Sequence, residues 1–161
     1  MTSAATKSAD DTRALASALA GLARPGDLLL LAGELGTGKT VFAQGFARGL
    51  GIHEQVTSPT FVLARRYAGR LRLHHLDVYR LDHLQEVLDL GLAEIVDDEA
   101  VTLIEWGDVV VPAVPADFLE VRLCHGSSVD DRLLTFTAVG PAWAGRAHSL
   151  PAVLRDWPAP S

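Results

Sequence analysis

Apolar residues recur along this chain with two different periods, and the changes of period divide it into elements. Leu15, Leu19 and Leu22 fall on one helical face, and Asp10-Asp11-Thr12 ahead of them supplies N-cap residues. Arg24-Pro25-Gly26-Asp27 reads as a turn. Leu28-Leu29-Leu30-Leu31-Ala32 is continuously apolar, the pattern of a strand buried on both faces of a parallel sheet. Val41, Phe42, Gly45, Phe46 and Leu50 return to helical spacing, with Gly51 where a helix C-cap belongs. Residues 61–67 and 71–77 are strand-like runs separated by Ala68-Gly69-Arg70, which predicts a β-hairpin. Alternation in the second run sets Leu71, Leu73, His75 and Asp77 on one side, and Arg70, Arg72 and His74 on the other. Residues 81–95 read as helical with a break around Asp89-Leu90-Gly91, and residues 101–105 as an apolar strand ending in a carboxylate. Residues 118–124 and 133–139 predict two antiparallel strands joined by Gly126-Ser127-Ser128-Val129-Asp130-Asp131. The pattern predicts a single mixed α/β domain over residues 10–140, with a flexible stretch over 1–9 and a tail over 141–161. The tail has two readings, partly docked through Trp143 and Trp157 or disordered.

Between the apolar run and the helix that follows lies Gly33-Glu34-Leu35-Gly36-Thr37-Gly38-Lys39-Thr40, which fits G-x-x-x-x-G-K-[ST] at every specified position. Its glycines permit positive-φ turns and let several backbone N–H groups surround a phosphate with no Cβ in the way. Lys39 is placed to neutralise β and γ oxygens, and Thr40 to offer a hydroxyl to Mg²⁺. The helix beginning near Lys39 points its positive end at the same anion. Strand, loop and helix occur in the order the motif requires, so the domain reads as a P-loop NTPase whose central sheet mixes parallel and antiparallel strands.

Other candidate chemistry is weighed against plainer explanations. Thr57-Ser58-Pro59-Thr60-Phe61 is hydroxyl-rich and kept from helix by Pro59; it is either a switch ordered by a bound triphosphate or an ordinary turn. Asp77 arrives at the end of an apolar face, where a carboxylate is costly unless paired or near a metal. Glu105 ends its apolar strand in the arrangement that lets an acid hold Mg²⁺ or its water beside a P-loop. Trp106 lies beside the nucleotide or packs in the core. Arg65, Arg66, Arg70, Arg72 and Arg80 form the densest basic region, a partner surface or a solvated strand face. Asp11 and Thr12 carry, besides capping, a second reading in the adenine pocket; Arg132, at the start of the last strand, reads as a surface residue, with an approach to the nucleotide as its second reading. His74 and His75 lack a third ligand at metal spacing.

Composition narrows the class. The chain has 161 residues, nearly half of them apolar at 48%, enough for one domain with a packed core. A single cysteine, Cys124, excludes an internal disulfide framework and reads as a small core residue. No run approaches the ~18 to 20 apolar residues of a membrane span, and the first residues lack the apolar segment of a signal peptide, so a cytoplasmic location is expected. A net charge of −6 argues against charge-driven binding to nucleic acid, which needs a basic footprint.

With these residues in place, the chain resembles the TsaE family (formerly YjeE), the small bacterial ATPases of tRNA threonylcarbamoyladenosine biosynthesis. The resemblance covers residues 10–140 and rests on the Gly33 to Thr40 loop, Ser58-Pro59-Thr60-Phe61, His75-Leu76-Asp77-Val78-Tyr79-Arg80 and Ile104-Glu105-Trp106. Two departures are visible: the family usually has Asp where Glu34 stands and a second Thr where Val41 stands. The resemblance implies an ATPase that uses ATP and Mg²⁺ to help TsaD and TsaB and to reset their complex, meeting tRNA through that complex. Carried over by position, Gly33, Gly36, Thr37, Gly38, Lys39, Thr40, Val41 and Trp106 bind nucleotide. Thr40 and Glu105 hold the metal, and Asp77 and Glu105 are the catalytic residues, with Asp77 positioning water or the switch. Arg80 and the hairpin arginines are candidates for partner contact.

The P-loop alone also admits a small-molecule kinase or a nucleotide-gated binding module. A GTPase is disfavoured: no [NT]-K-x-D guanine-reading motif occurs, and Lys7 and Lys39 are the only lysines.

Overall fold

Along the chain of the computed structural model the described elements are β1 (Thr2–Thr6), α1 (Ala9–Ala20), β2 (Leu28–Ala32), α2 (Lys39–Gly49), β3 (Ala64–Tyr67), β4 (Arg72–Asp77), β5 (Ala100–Glu105), β6 (Phe118–His125) and β7 (Arg132–Val139). Short helical turns follow at Pro141–Ala144 and Leu150–Val153. The structure describes residues 1–57, 64–78, 85, 89, 96, 99–106 and 110–161. The Ser58-Pro59-Thr60-Phe61 segment, the first residues of the 61–67 run, Tyr79, Arg80 and most of the 81–95 helix lie outside them.

The strands form one sheet in the order β1-β7-β6-β2-β5-β4-β3. β2 pairs parallel with both β5 and β6, and β4 parallel with β5; β3, β7 and β1 join antiparallel at the two sides. This is the mixed sheet that the apolar patterning predicts. A strand between two parallel partners has no solvent face, which is why β2 is apolar at every position. Leu29 and Leu31 join the larger core beneath α1 and α2, while Leu28 and Leu30 join a second cluster with Leu76, Ile104 and Phe118 on the opposite face.

The two helices pack at close range because α2 carries glycines one turn apart on its contact face. A Cβ on Gly45 would lie 2.2 Å from the Arg13 carbonyl oxygen, and one on Gly49 would lie 2.5 Å from that of Ser17. α2 ends at the cap residue Leu50, with Gly51 following at φ 77°. Gly51 N–H donates to Arg48 O and Ile52 N–H to Ala47 O, which satisfies two terminal carbonyls in a Schellman arrangement. The start of α1 differs from expectation: Ser8 is the N-cap, its Oγ accepting from Asp11 N–H at 3.0 Å. Asp10 and Asp11 sit in the first helical turn, where carboxylates favour the positive end of the helix.

Several other expectations are corrected. The first residues are not a free lead-in, since Thr2–Thr6 is an edge strand in register with β7. Its alternation buries Ala4 and Thr6 and so gives the strand a packed face. Of the two readings of the tail, the docked one holds: Trp143 is buried, and Arg146 makes a buried two-pronged ion pair with Asp27 at 2.7 and 2.6 Å. Arg146 also stacks on Trp143, 4.0 Å from the ring centroid. Arg70 is exposed and is in addition a structural tie, donating to Ala20 O at 2.7 Å and Gly49 O at 3.3 Å and so satisfying the ends of both helices. His74, placed with the polar side, is buried because β4 lies under cover on both faces. Cys124 is exposed rather than in the core: Val121 and Leu123 take the buried side of β6, and alternation turns Cys124 away.

Candidate functional site

The parallel strands deliver their carboxyl ends to one side of the sheet, and the Gly33 to Thr40 loop begins where β2 stops. Gly33, Gly36 and Gly38 have φ of 144°, 80° and 97°, conformations that side chains rarely adopt. Gly33 is also sterically enforced. A Cβ there would sit 2.4 Å from the Leu123 carbonyl oxygen and 2.8 Å from Thr37 Oγ1. Thr37 closes the turn by donating its hydroxyl to Glu34 O at 2.7 Å.

Lys39 is folded back across this loop, its Nζ donating to Gly33 O at 2.7 Å and Glu34 O at 2.8 Å. The same ammonium lies 3.6 Å from the centroid of the Trp106 ring. Trp106 reaches that position through a left-handed backbone, φ 63°, which costs a side-chain-bearing residue about 1–2 kcal/mol. A cation–π contact of about 0.5–2 kcal/mol offsets it. Of its two readings, the structure supports a place beside the loop lysine rather than in the core.

Thr40, at the start of α2, donates its hydroxyl to Glu105 Oε1 at 3.0 Å. The other carboxylate oxygen, Oε2, lies 2.5 Å from His75 Nε2. Asp77 is the register partner of Glu105 across the parallel β4 and β5 pair, so both acids finish their strands at one level. They also share a face, because Leu73 and Leu103, at even spacing from them, join the core beneath α2. Asp77, Glu105, Trp106, Lys39, Thr40 and Val41 line one cleft. Gly33 and Thr37 line an adjoining one on the other side of the loop, with Trp106 shared.

Two residues beside this cleft play larger parts than the sequence suggests. Of the two readings of Arg132, the structure favours a place beside the loop: it donates from Nε to Thr37 O at 3.0 Å and from Nη2 to Gly36 O at 3.3 Å, holding the loop from the start of β7. His75 stands against Glu105 rather than in a plain apolar core. Of the residues given a second reading at the adenine, Thr12 lines a small recess with Gly38, Val41 and Arg132. Asp11 is engaged instead by Lys7 N–H at 2.9 Å and Trp157 Nε1 at 2.7 Å.

Residues 6–133 match the family model described as threonylcarbamoyl adenosine biosynthesis protein TsaE. The chain belongs to the TsaE family. Among its TsaE relatives, the tRNA threonylcarbamoyladenosine biosynthesis protein TsaE of Bacillus subtilis is 44% identical over 132 residues, 81% of this chain and 82% of its own. The protein of the same name from Streptomyces coelicolor is 42% identical over 139 residues, covering 82% of this chain and 93% of its own. The crystal structure of Bacillus subtilis YdiB superposes with a TM-score of 0.81 at 36% identity, covering 94% of each chain. The TsaE fold seen here is a P-loop NTPase-like α/β fold with a seven-stranded mixed sheet.

Proposed function

We propose that this TsaE-family chain is a Mg²⁺-dependent ATPase that serves tRNA threonylcarbamoyladenosine synthesis in the cytoplasm, acting with TsaD and TsaB. The observation that carries the reading is the convergence of Lys39, Thr40, Asp77 and Glu105 on one cleft beside a glycine-enforced loop, in a chain whose relatives bear the TsaE name. No described helix is long and apolar enough to cross a membrane.

The residues suit the roles assigned to them. Backbone N–H groups of Gly36, Thr37 and Gly38 and the amino end of α2 bind the phosphates, and Lys39 leaves the Gly33 and Glu34 carbonyls to meet β and γ oxygens. Val41 and Trp106 flank the nucleotide. Thr40 Oγ1 and a Glu105 oxygen already meet at 3.0 Å, a hard-oxygen pair suited to Mg²⁺. When bound, Mg²⁺ neutralises charge on the β- and γ-phosphate oxygens. Asp77, level with Glu105, orients the attacking water or the Ser58-Pro59-Thr60-Phe61 switch. Hydrolysis is slow in the isolated chain and becomes productive with TsaD and TsaB, through which the acidic protein meets tRNA.

The test is a set of parallel incubations: ATP alone, ATP with small-molecule acceptors, and ATP with TsaD, TsaB and tRNA. Slow ADP formation alone and multiple-turnover tRNA modification only when this chain is added are the expected outcomes. Phosphorylation of an acceptor supports the kinase alternative, and nucleotide-dependent docking without ADP supports a nucleotide-gated binding module. Modification that proceeds equally well without this chain overturns the proposal.

A further inference from the structure

His75 is fully buried on β4, on the face it shares with Leu73 and with Val101 and Leu103 of β5. An imidazole in such a setting costs free energy unless its polar atoms are paired. Its Nδ1 has no hydrogen-bond partner among the described residues. The polar investment therefore rests on Nε2 and its 2.5 Å contact with Glu105 Oε2. A carboxylate only accepts, so the imidazole Nε2–H donates. Parallel register sets up this diagonal: His75 pairs with Leu103, two residues before Glu105 on the same face.

Glu105 thus has both oxygens engaged, Oε2 by His75 from the core side and Oε1 by Thr40 from the cleft side. From this we infer that His75 is a positioning residue for the metal site: it pins Oε2 and leaves Oε1 aimed at the cleft beside Thr40. The inference rests on the reading of Thr40 and Glu105 as the Mg²⁺-holding pair. Without the imidazole, the Glu105 carboxylate is free to rotate, and the two hard oxygens no longer face one point. Partners of metal-holding groups are worth about 10- to 100-fold in metal affinity.

The experiment titrates Mg²⁺ at a fixed concentration of a fluorescent ATP analogue and reads binding rather than turnover, with an EDTA arm for metal-independent binding. His75→Leu fills the space and removes the donor. His75→Gln places an amide N–H near the Nε2 position, and His75→Asn keeps an amide that falls short of it. His75→Leu is expected to raise the Mg²⁺ needed for half-maximal binding about 10- to 100-fold with EDTA binding unchanged, and His75→Gln to restore most of the loss. If His75→Leu does not fold, His75→Asn against His75→Gln gives the same comparison. A merely structural histidine changes thermal stability and leaves the Mg²⁺ midpoint where it was; that result, with Glu105→Ala still shifting the midpoint, overturns the inference and leaves the ATPase reading standing. Wild-type binding that does not respond to Mg²⁺ overturns both.

Discussion

Asp77 and Glu105 end neighbouring parallel strands in register, yet their surroundings differ. Glu105 is held from two directions, by Thr40 and His75, and Asp77 stands level with it on the next strand at the cleft wall. That division of labour predicts distinct phenotypes. Asp77→Asn keeps size and removes charge, so it is expected to retain ATP binding while lowering hydrolysis about 10²-fold, with a parallel loss of tRNA modification in the reconstituted TsaD and TsaB system. Full multiple-turnover modification by Asp77→Asn would show its charge to be dispensable. Lys39, Thr40, Glu105 and Asp77 were legible in the sequence because each is fixed by a local rule, a spaced motif or a carboxylate at the end of an apolar strand. His75 was not, because a histidine alternating with leucines looks the same whether it faces core or carboxylate; only the β4 and β5 register decides. Arg132 was left between two readings for a similar reason, since its loop partners lie 95 and 96 positions away in sequence.

Among the elements, α2 carries the site at one end and its packing glycines along its flank. Gly45 and Gly49 bring its axis against α1 so closely that Gly45→Ala would force a methyl into the Arg13 backbone, with 2.5 Å to its Cα. Overpacking of this kind costs about 1–3 kcal/mol, and the urea midpoint of the variant is expected to fall accordingly. An unchanged midpoint would mean that the helices separate without penalty. The helical period and the terminal glycine of α2 were readable from the sequence, as was the both-sided burial of β2. The true cap of α1 was displaced to Ser8 because Thr12 bonds back to the Ser8 carbonyl at 3.2 Å and to the Thr6 hydroxyl at 2.7 Å, contacts that need β1 in place. β1 itself is a strand only because β7 offers it an edge, a long-range condition no local pattern announces.

At the scale of the whole molecule, the sheet keeps its parallel strands in the centre and its antiparallel ones at both sides, which sets the cleft at the carboxyl ends of buried strands. The ends of the chain were the least legible part, and they turn out to meet. Arg146 anchors the tail to the turn before β2, Trp157 reaches the first turn of α1, the Trp157 carbonyl accepts from Ala5 N–H at 3.1 Å, and Pro158 bridges Ala4. The outer rim of β1 is thereby occupied by a segment ending in proline, a residue that cannot extend a ladder. The tail thus covers this rim, and a chain cut after Arg155 exposes unpaired backbone along β1. Such a chain is expected to show concentration-dependent growth in light scattering that the full chain does not, and solutions of the two that scatter alike would show the rim to be harmless uncovered.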